Sequence, residues 1–359
     1  MATGNNIIDL ATIPFDQYSR QLVVKNIIDH VFRSRNKKNT FSILDVGGYM
    51  GRTAEFLPND NVKILDVFNI KAPNYIRGDA TDVQQEDKAY DFVCSFDVLE
   101  HIPRSKREAF ITESARLSRL GFFIAAPIDD KDGLVSFAER EANEVFKIVN
   151  HQEHRWLKEH IDYGIPTGGD VEAILKKHDL YYTTIKSNEI INWLSVQSAF
   201  FVKSVLERSD NYLGNKYLTQ FYEFHRHINE TYNKNYNSLE GRQDVLSYRT
   251  VYFASYDQGA VKRVSGYLQK SAEESSPSDI NKAQIEVYSS LFKVLASTVA
   301  ILQKEGDALK LKEGQLPGLK RELEYKDNYI KDLQNSRSWK ITRPLRIIIR
   351  SIERTKKKG

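Results

Sequence analysis

Residues 41–51, FSILDVGGYMG, constrain this chain more than any other stretch. Ile43, Leu44 and Val46 read as a strand buried on both faces, closed by the acid Asp45. Gly47, Gly48 and Gly51 then allow a tight turn into a helix that starts near Arg52. A turn without Cβ atoms lets a ligand approach the backbone where side chains would otherwise stand. A buried strand that runs through a glycine turn into a helix belongs to an open α/β sheet.

The rest of the first half agrees. Helical spacing of Leu22, Val23, Ile27, Ile28, Val31 and Phe32 predicts a helix over 17–34. Strands follow at 41–47, 63–68, 74–78, 90–96 and 121–126, with a helix at 104–119 before the last. This alternation predicts a doubly wound α/β sheet with helices on both faces. After Pro127 the pattern loosens until Gly168, Gly169 and Asp170 open a helix through His178. A strand at 180–186 precedes helical segments at about 189–208 and 211–233, and a strand at 246–256 closes the globular part. The helical block, about 188–240, reads as an insertion that serves either as a substrate cap or as extra packing.

In such a sheet ligands lie across the carboxyl ends of the strands. Those ends carry Asp45 with the glycine turn, Asp66, then Gly78–Asp79–Ala80, and finally Ser95–Phe96–Asp97 leading into VLEHIP. The ordered series ILDVGGYMG, ILDVF, GDATD, YDFVCSFDVLEHIP and GFFIAAP resembles the class I S-adenosylmethionine-dependent methyltransferases over about residues 41–127. The resemblance implies a Rossmann-like seven-stranded sheet with its last strand antiparallel, and S-adenosylmethionine as cofactor. Carried over by position, Asp45, Gly47, Gly48 and Gly51 line the amino-acid end of the cofactor. Asp66 holds the ribose, Asp79 and Ala80 the adenine, and Phe96 and Asp97 border the methionine moiety. Tyr49 departs from the family's D-x-G-x-G-x-G turn, standing where a middle glycine is usual. A nicotinamide-dependent dehydrogenase fits less well, because the G-x-G-x-x-G fingerprint is absent.

The sulfonium methyl is already electrophilic, so the protein must chiefly align a nucleophile with it. An oxygen nucleophile also needs a base near neutral pKa. The candidates are His151 and His154, in NHQEHRW, with Glu153 and His101 behind them and His225 and His227 weaker. Asp129, Asp130 and Asp132 form an acidic loop that reads as solvated, and no required metal is expected.

The remaining segments concern partners. Cys94, the single cysteine, sits in an apolar run and reads as core. The start of the chain lacks the pattern of a signal peptide, and no apolar run is long enough to span a bilayer. The expected domain covers residues 1–260, followed by a polar linker at 270–279. A heptad seam then runs through Tyr288, Leu295, Leu302, Leu309, Leu316, Leu323 and Ile330, predicting a coiled coil over 280–335 that makes a homo-oligomer. Pro317 is expected to break or kink it. From Arg337 to Lys358 nine Lys/Arg face one acid, Glu353; since the whole chain is +4, the body carries −4. This basic tail, 336–359, interleaves Trp339 with isoleucines and reads as an amphipathic surface for anionic lipid rather than nucleic acid. The string from Ser336 to Arg346 also resembles tails of bacterial surface-polysaccharide assembly proteins, where glycosyltransferase domains occur alongside. Together these resemblances imply a cytoplasmic enzyme, peripheral on the inner membrane, that O-methylates a sugar of a surface polysaccharide or its lipid-linked precursor. Two alternatives stay open: a catalytically weak scaffold for glycosyltransferases, or a methyltransferase for a small molecule or protein.

Overall fold

A computed structural model describes residues 9–34, 40–49, 52–129, 132–150, 152–194, 196–197, 200–201, 214–236, 246–273 and 312–336. The chain divides into two units, residues 1–290 and 291–359. The first unit is built on a seven-stranded sheet of order β3-β2-β1-β4-β5-β7-β6. Its strands are β1 (Ser42–Val46), β2 (Asn61–Asp66), β3 (Tyr75–Arg77), β4 (Tyr90–Phe96), β5 (Ser118–Pro127), β6 (Tyr181–Glu189) and β7 (Ser247–Ser255). All neighbours pair in parallel except β7, which runs antiparallel to both β5 and β6. Strand order reverses between β1 and β4, which places the ligand crevice at their carboxyl ends.

Burial on both faces explains the strand composition. Every residue of β4 is buried, as a central parallel strand requires. On one face Leu44, Val93, Phe122, Ile124 and Tyr252 pack against Phe110 and Ile111 of α3 (Arg107–Leu117) and Val171 and Leu175 of α6 (Gly168–Lys177). On the other, Phe92 and Phe123 meet Phe32 and Phe253 in an aromatic layer with centroid spacings of 4.9–5.9 Å. Phe32 comes from a π-helical turn, Ile28–Arg33, that continues α1 (Phe15–Ile27). Cys94 is buried in β4, as its apolar run predicts.

The structure supplies two helices where the sequence pattern loosens, α4 (Leu134–Asn150) and α5 (Arg155–Tyr163). The short α2 (Thr53–Phe56) is one turn, starting beside Arg52 as expected. The insertion between β6 and β7 includes α7 (Gly214–Asn235) and helical residues 190–194. It packs from both ends. Phe15 of α1 lies 4.8 Å from the Tyr232 ring of α7, and Asn233 donates to the backbone of Leu10 and Ile13. Trp193 stacks at 4.2 Å on Tyr248, within a second core that joins the insertion to α4 and α5. This second core roofs the start of β7, where Tyr248 lies.

Two boundaries differ from expectation. Helix α8 (Gln258–Glu273) carries ordered structure past residue 260 and through the first residues of the expected linker; 274–279 lie outside the described residues. In the second unit, residues 312–335 form one helix that runs through Pro317. The residues around Pro317 are exposed, so the carbonyl that it leaves without a backbone donor is not shut away from solvent. The rest of the expected coiled coil, and the tail from 337 on, lie outside the described residues. Among the described residues no helix is long and apolar enough to cross a membrane.

Candidate functional site

The crevice is built first by the turn after β1. Asp45 is 2% exposed, and its Oδ1 has no hydrogen-bond partner. Burial pushes its pKa up to about 7, with Thr53 and Arg20 pulling the other way. Gly47 takes a left-handed φ of +75°, and a Cβ there would stand 2.3 Å from Val98 Cγ2. A Cβ on Gly48 would stand 2.2 Å from Asp45 Oδ2. Gly47 is therefore dictated by its left-handed backbone and by Val98, while Gly48 lies close against the Asp45 carboxylate. Tyr49 turns outward, 52% exposed, and meets Phe68 edge-on at 5.2 Å. It does not close over Asp45. Gly51 lies outside the described residues.

The neighbouring strand ends continue the crevice. Asp66 is buried at the end of β2, accepting a hydrogen bond from Phe68 N at 3.2 Å. Asp79 Oδ1 accepts from Thr81 N and Oγ1 at 2.9 and 2.8 Å, which holds its pKa below the usual carboxylate value, helped by Lys106. Ala80 packs on the main core, and Phe96 is buried at the end of β4. A buried carboxylate with an unpartnered oxygen, a turn that a Cβ would fill, and a second acid one strand away fit an adenosyl cofactor with a cationic amino-acid end.

Asp97 has a different setting from its neighbours. Its φ of 54° is left-handed, which a non-glycine residue adopts only when its surroundings hold it there. Arg249 of β7 holds its carboxylate through Nε and Nη2, both at 2.6 Å, and Arg20 of α1 adds a third contact. Arg249 is 1% exposed, and burial with Arg249 nearby lowers the Arg20 pKa to about 10. Asp97 thus ties β4, β7 and α1 together at the crevice wall.

Beyond Asp97 the 3₁₀ turn Leu99–His101 delivers the most concentrated chemistry in the molecule. His101 Nδ1 lies 2.9 Å from Glu159, and its Nε2 lies 3.0 Å from His160 Nε2. His160 Nδ1 sits between the oxygens of Glu139 at 3.0 and 3.1 Å, and Tyr248 donates to the same carboxylate at 2.7 Å. Glu100 is fully buried beside them, neither oxygen meeting a partner from another residue. Burial pushes the Glu100 carboxyl up to about 7 against the attraction of His160 and Arg249. Burial also disfavours charge on His160, but Glu139, Glu100 and Glu159 together raise its pKa above the usual histidine value. His101 moves the other way, lowered by burial and by His160. Its side chain is 28% exposed, so it is the histidine of the pair that opens toward solvent.

The other expected residues take structural positions. His154 caps α5, its Nδ1 accepting from Leu157 N at 3.4 Å, and its ring packs among Phe146, Trp156 and Phe201. His151 lies outside the described residues. Glu153 is exposed and paired with Lys158 at 3.8 Å. His225 and His227 lie on α7, away from the described network. Asp129 accepts hydrogen bonds from Val135 N and Ser136 and so caps α4, while Asp130 is outside the described residues. Sequence reasoning missed His160, Glu139, Tyr248, Arg249 and Arg20. One signal was available: Glu100–His101 and Glu159–His160 are two Glu-His pairs, and the fold brings them face to face.

With that geometry in view, comparison with known proteins is informative. A family profile described as "Methyltransferase domain" matches residues 44–125. No curated protein sequence matches the chain. Among solved structures, the chain is similar to the YcgJ protein from Bacillus subtilis, at 12% identity over 65% of this chain and 99% of that one, with a TM-score of 0.36. It is similar to a loganic acid methyltransferase with SAH, at 10% identity over 71% and 97%, TM-score 0.36. A SAM-dependent methyltransferase from Thermotoga maritima gives 9% identity over 68% and 93%, TM-score 0.35.

Proposed function

We propose, for a chain that carries a methyltransferase domain using S-adenosylmethionine, that the acceptor is a hydroxyl group on a glycan. The carrying observation is that the glycine turn with its free Asp45 and the His101–His160 network occupy adjacent strand ends, β1 and β4, of one crevice. The bound cofactor supplies an electrophilic methyl group. Asp45 offers an anionic site for the cationic amino-acid end, and Asp66 accepts from the ribose hydroxyls. Gly47 and Gly48 keep the turn beside Asp45 free of side chains.

A sugar hydroxyl becomes a competent nucleophile only as its proton leaves. His101 reaches the opening, and behind it His160, Glu139 and Glu159 spread the charge that an added proton brings. This arrangement favours an oxygen acceptor, since a neutral amine would attack without such help.

The glycan and membrane parts of the reading rest on sequence. Ser336 to Arg346 carries the residue order that resembles polysaccharide-assembly tails, and Arg337–Lys358 combines basic with apolar residues. The exposed seam of Leu316, Leu323 and Ile330, with Leu319 and Leu333 alongside, supports self-association through the 312–335 helix. Glycosyltransferases are the partners such a complex would meet on the cytoplasmic face. The test is incubation of full-length protein with labelled S-adenosylmethionine and extracted lipid-linked glycan precursors, followed by linkage analysis. Label on a sugar oxygen supports the reading. Label confined to small molecules or protein overturns the acceptor while leaving methyl transfer intact.

A further inference from the structure

Two imidazole nitrogens facing each other at 3.0 Å impose a strict condition. Each ring has its Nδ1 against a carboxylate, Glu159 for His101 and Glu139 for His160. A carboxylate accepts, so the hydrogen of each neutral ring belongs on Nδ1. Both Nε2 atoms then present lone pairs to one another. That contact is repulsive unless a cation lies between them, either a shared proton or a metal ion.

Further features favour the metal ion. Histidines that ligate metals characteristically donate their other N–H to a carboxylate, which fixes the ring and raises its basicity. Here both do so, and Tyr248 in turn orients Glu139. A third donor is in place: ligand atoms of Glu100, His101 and His160 lie within 4.8 Å of one another. Glu100 is buried without a partner from another residue, a costly arrangement that a bound cation relieves. Arg249 attracts Glu100 without hydrogen-bonding to it: Nε and Nη2 are committed to Asp97, and Nη1 meets no partner. Tetrahedral ligation at about 2.0–2.2 Å sets donor atoms roughly 3.3–3.6 Å apart. The two Nε2 atoms, at 3.0 Å, open slightly to meet it, and Glu100, within 4.8 Å, moves in by up to about 1.5 Å. The 28% exposure of His101 leaves a way in.

We propose that Glu100, His101 and His160 bind one divalent metal ion of the first transition row. Two imidazoles and one carboxylate form a donor set that such ions prefer over magnesium or calcium, and it leaves coordination positions open. This departs from the sequence-based expectation of no metal. The binding inference does not depend on the acceptor proposed above. Only its use does: with both Nε2 atoms on the ion, an open position would bind the acceptor hydroxyl and ease loss of its proton to solvent, in place of proton uptake by His101.

The test is titration of the untagged, chelator-treated full chain with cobalt chloride alone, followed by ligand-field absorption. One Co2+ per chain is expected, and His101→Gln and His160→Gln should each weaken binding at least tenfold. Glu100→Gln should weaken it too, and His227→Gln, on exposed α7 surface, should not. Melting curves without metal check that each variant is folded. Absence of a cobalt spectrum in the native chain, or full affinity retained in both folded histidine variants, overturns the site. Either result leaves the methyltransferase reading untouched, since no cofactor enters the measurement.

Discussion

His101 and His160 stand 59 residues apart in sequence, yet their Nε2 atoms are 3.0 Å apart at the end of β4. Each ring is held from behind by a glutamate, so neither can rotate without breaking a charge-assisted contact. The pair forms where α5, carrying His160, meets the turn after β4 that carries His101.

This arrangement predicts a separation of binding from turnover. Glu139→Gln keeps the size of the side chain but removes the charge that holds His160. We expect kcat to fall on the order of 10²-fold, with cofactor affinity changing less than about threefold. Steady-state kinetics beside calorimetric titration of the cofactor would show this. Equal losses in both quantities would place Glu139 in the fold rather than in the chemistry.

Asp45 combines a place in the proposed cofactor cradle with a stability cost. Its folded pKa of about 7 lies above the ordinary carboxyl value of 3.8, so the stability it contributes is complete at low pH and is lost as pH rises through 7. Asp45→Asn should therefore unfold at higher denaturant near pH 8, by about 2–3 kcal/mol, and show little gain near pH 4. The same variant should lose cofactor affinity by tenfold or more, because the anionic site is gone. Gain of stability with loss of binding is the expected signature of a residue kept for function.

Glu100 behaves similarly, with its carboxyl at about 7 against an ordinary 4.5. In chelator, Glu100→Gln should stabilise the chain at pH 8 and flatten its dependence between about pH 5 and 8. Urea unfolding at several pH values measures both. A variant less stable than the native chain at pH 8 would show that the native carboxylate has a partner when ionised.

Much of this site was legible in the sequence, for a physical reason. Strand ends in a parallel sheet carry their ligand groups in fixed order, so Asp45, Asp66, Asp79 and Asp97 could be read along the chain. The buried runs ILDV and YDFVCSF left little choice of register. What could not be read was the roof. Leu134–Asn150 has apolar residues on one face, but that face turns toward the insertion and not the sheet, and Glu139 within it faces His160. Charged residues on a helix ordinarily mark the solvent side, so Glu139 and His160 carried no signal of burial. His154 illustrates the converse: its residue type suits catalysis, while its place at the start of α5 makes it a cap.

The Asp97 contacts with Arg249 and Arg20 give a stability prediction. Arg249 is 1% exposed, so removing its anion leaves a buried guanidinium without its main partner. Asp97→Ala should cost about 3–5 kcal/mol, and Asp97→Asn less, because an amide oxygen still accepts one donor. Replacing both residues, Asp97→Ala with Arg249→Leu, should recover part of the loss. A double-mutant cycle by chemical denaturation measures the coupling, and additivity would mean that the pair contributes nothing beyond its separate packing.

The last prediction concerns the 312–335 helix. Leu316, Leu323 and Ile330 recur every seven residues, and all are 49–65% exposed in the single chain. An apolar stripe of that period is stable in water when a second helix covers it. The companion positions are Lys312, Leu319, Lys326 and Leu333, so two lysines enter the seam. Polar residues there lower stability but fix register, which favours a defined small oligomer over open aggregation. Full-length protein should therefore elute and scatter as an oligomer, and Leu323→Lys with Ile330→Lys should return it to a monomer. Because both residues are exposed in the isolated chain, the double variant should keep the native melting temperature of the methyltransferase domain. Light scattering coupled to gel filtration reads the mass directly; an unchanged mass in the double variant would assign self-association to some other part of the chain.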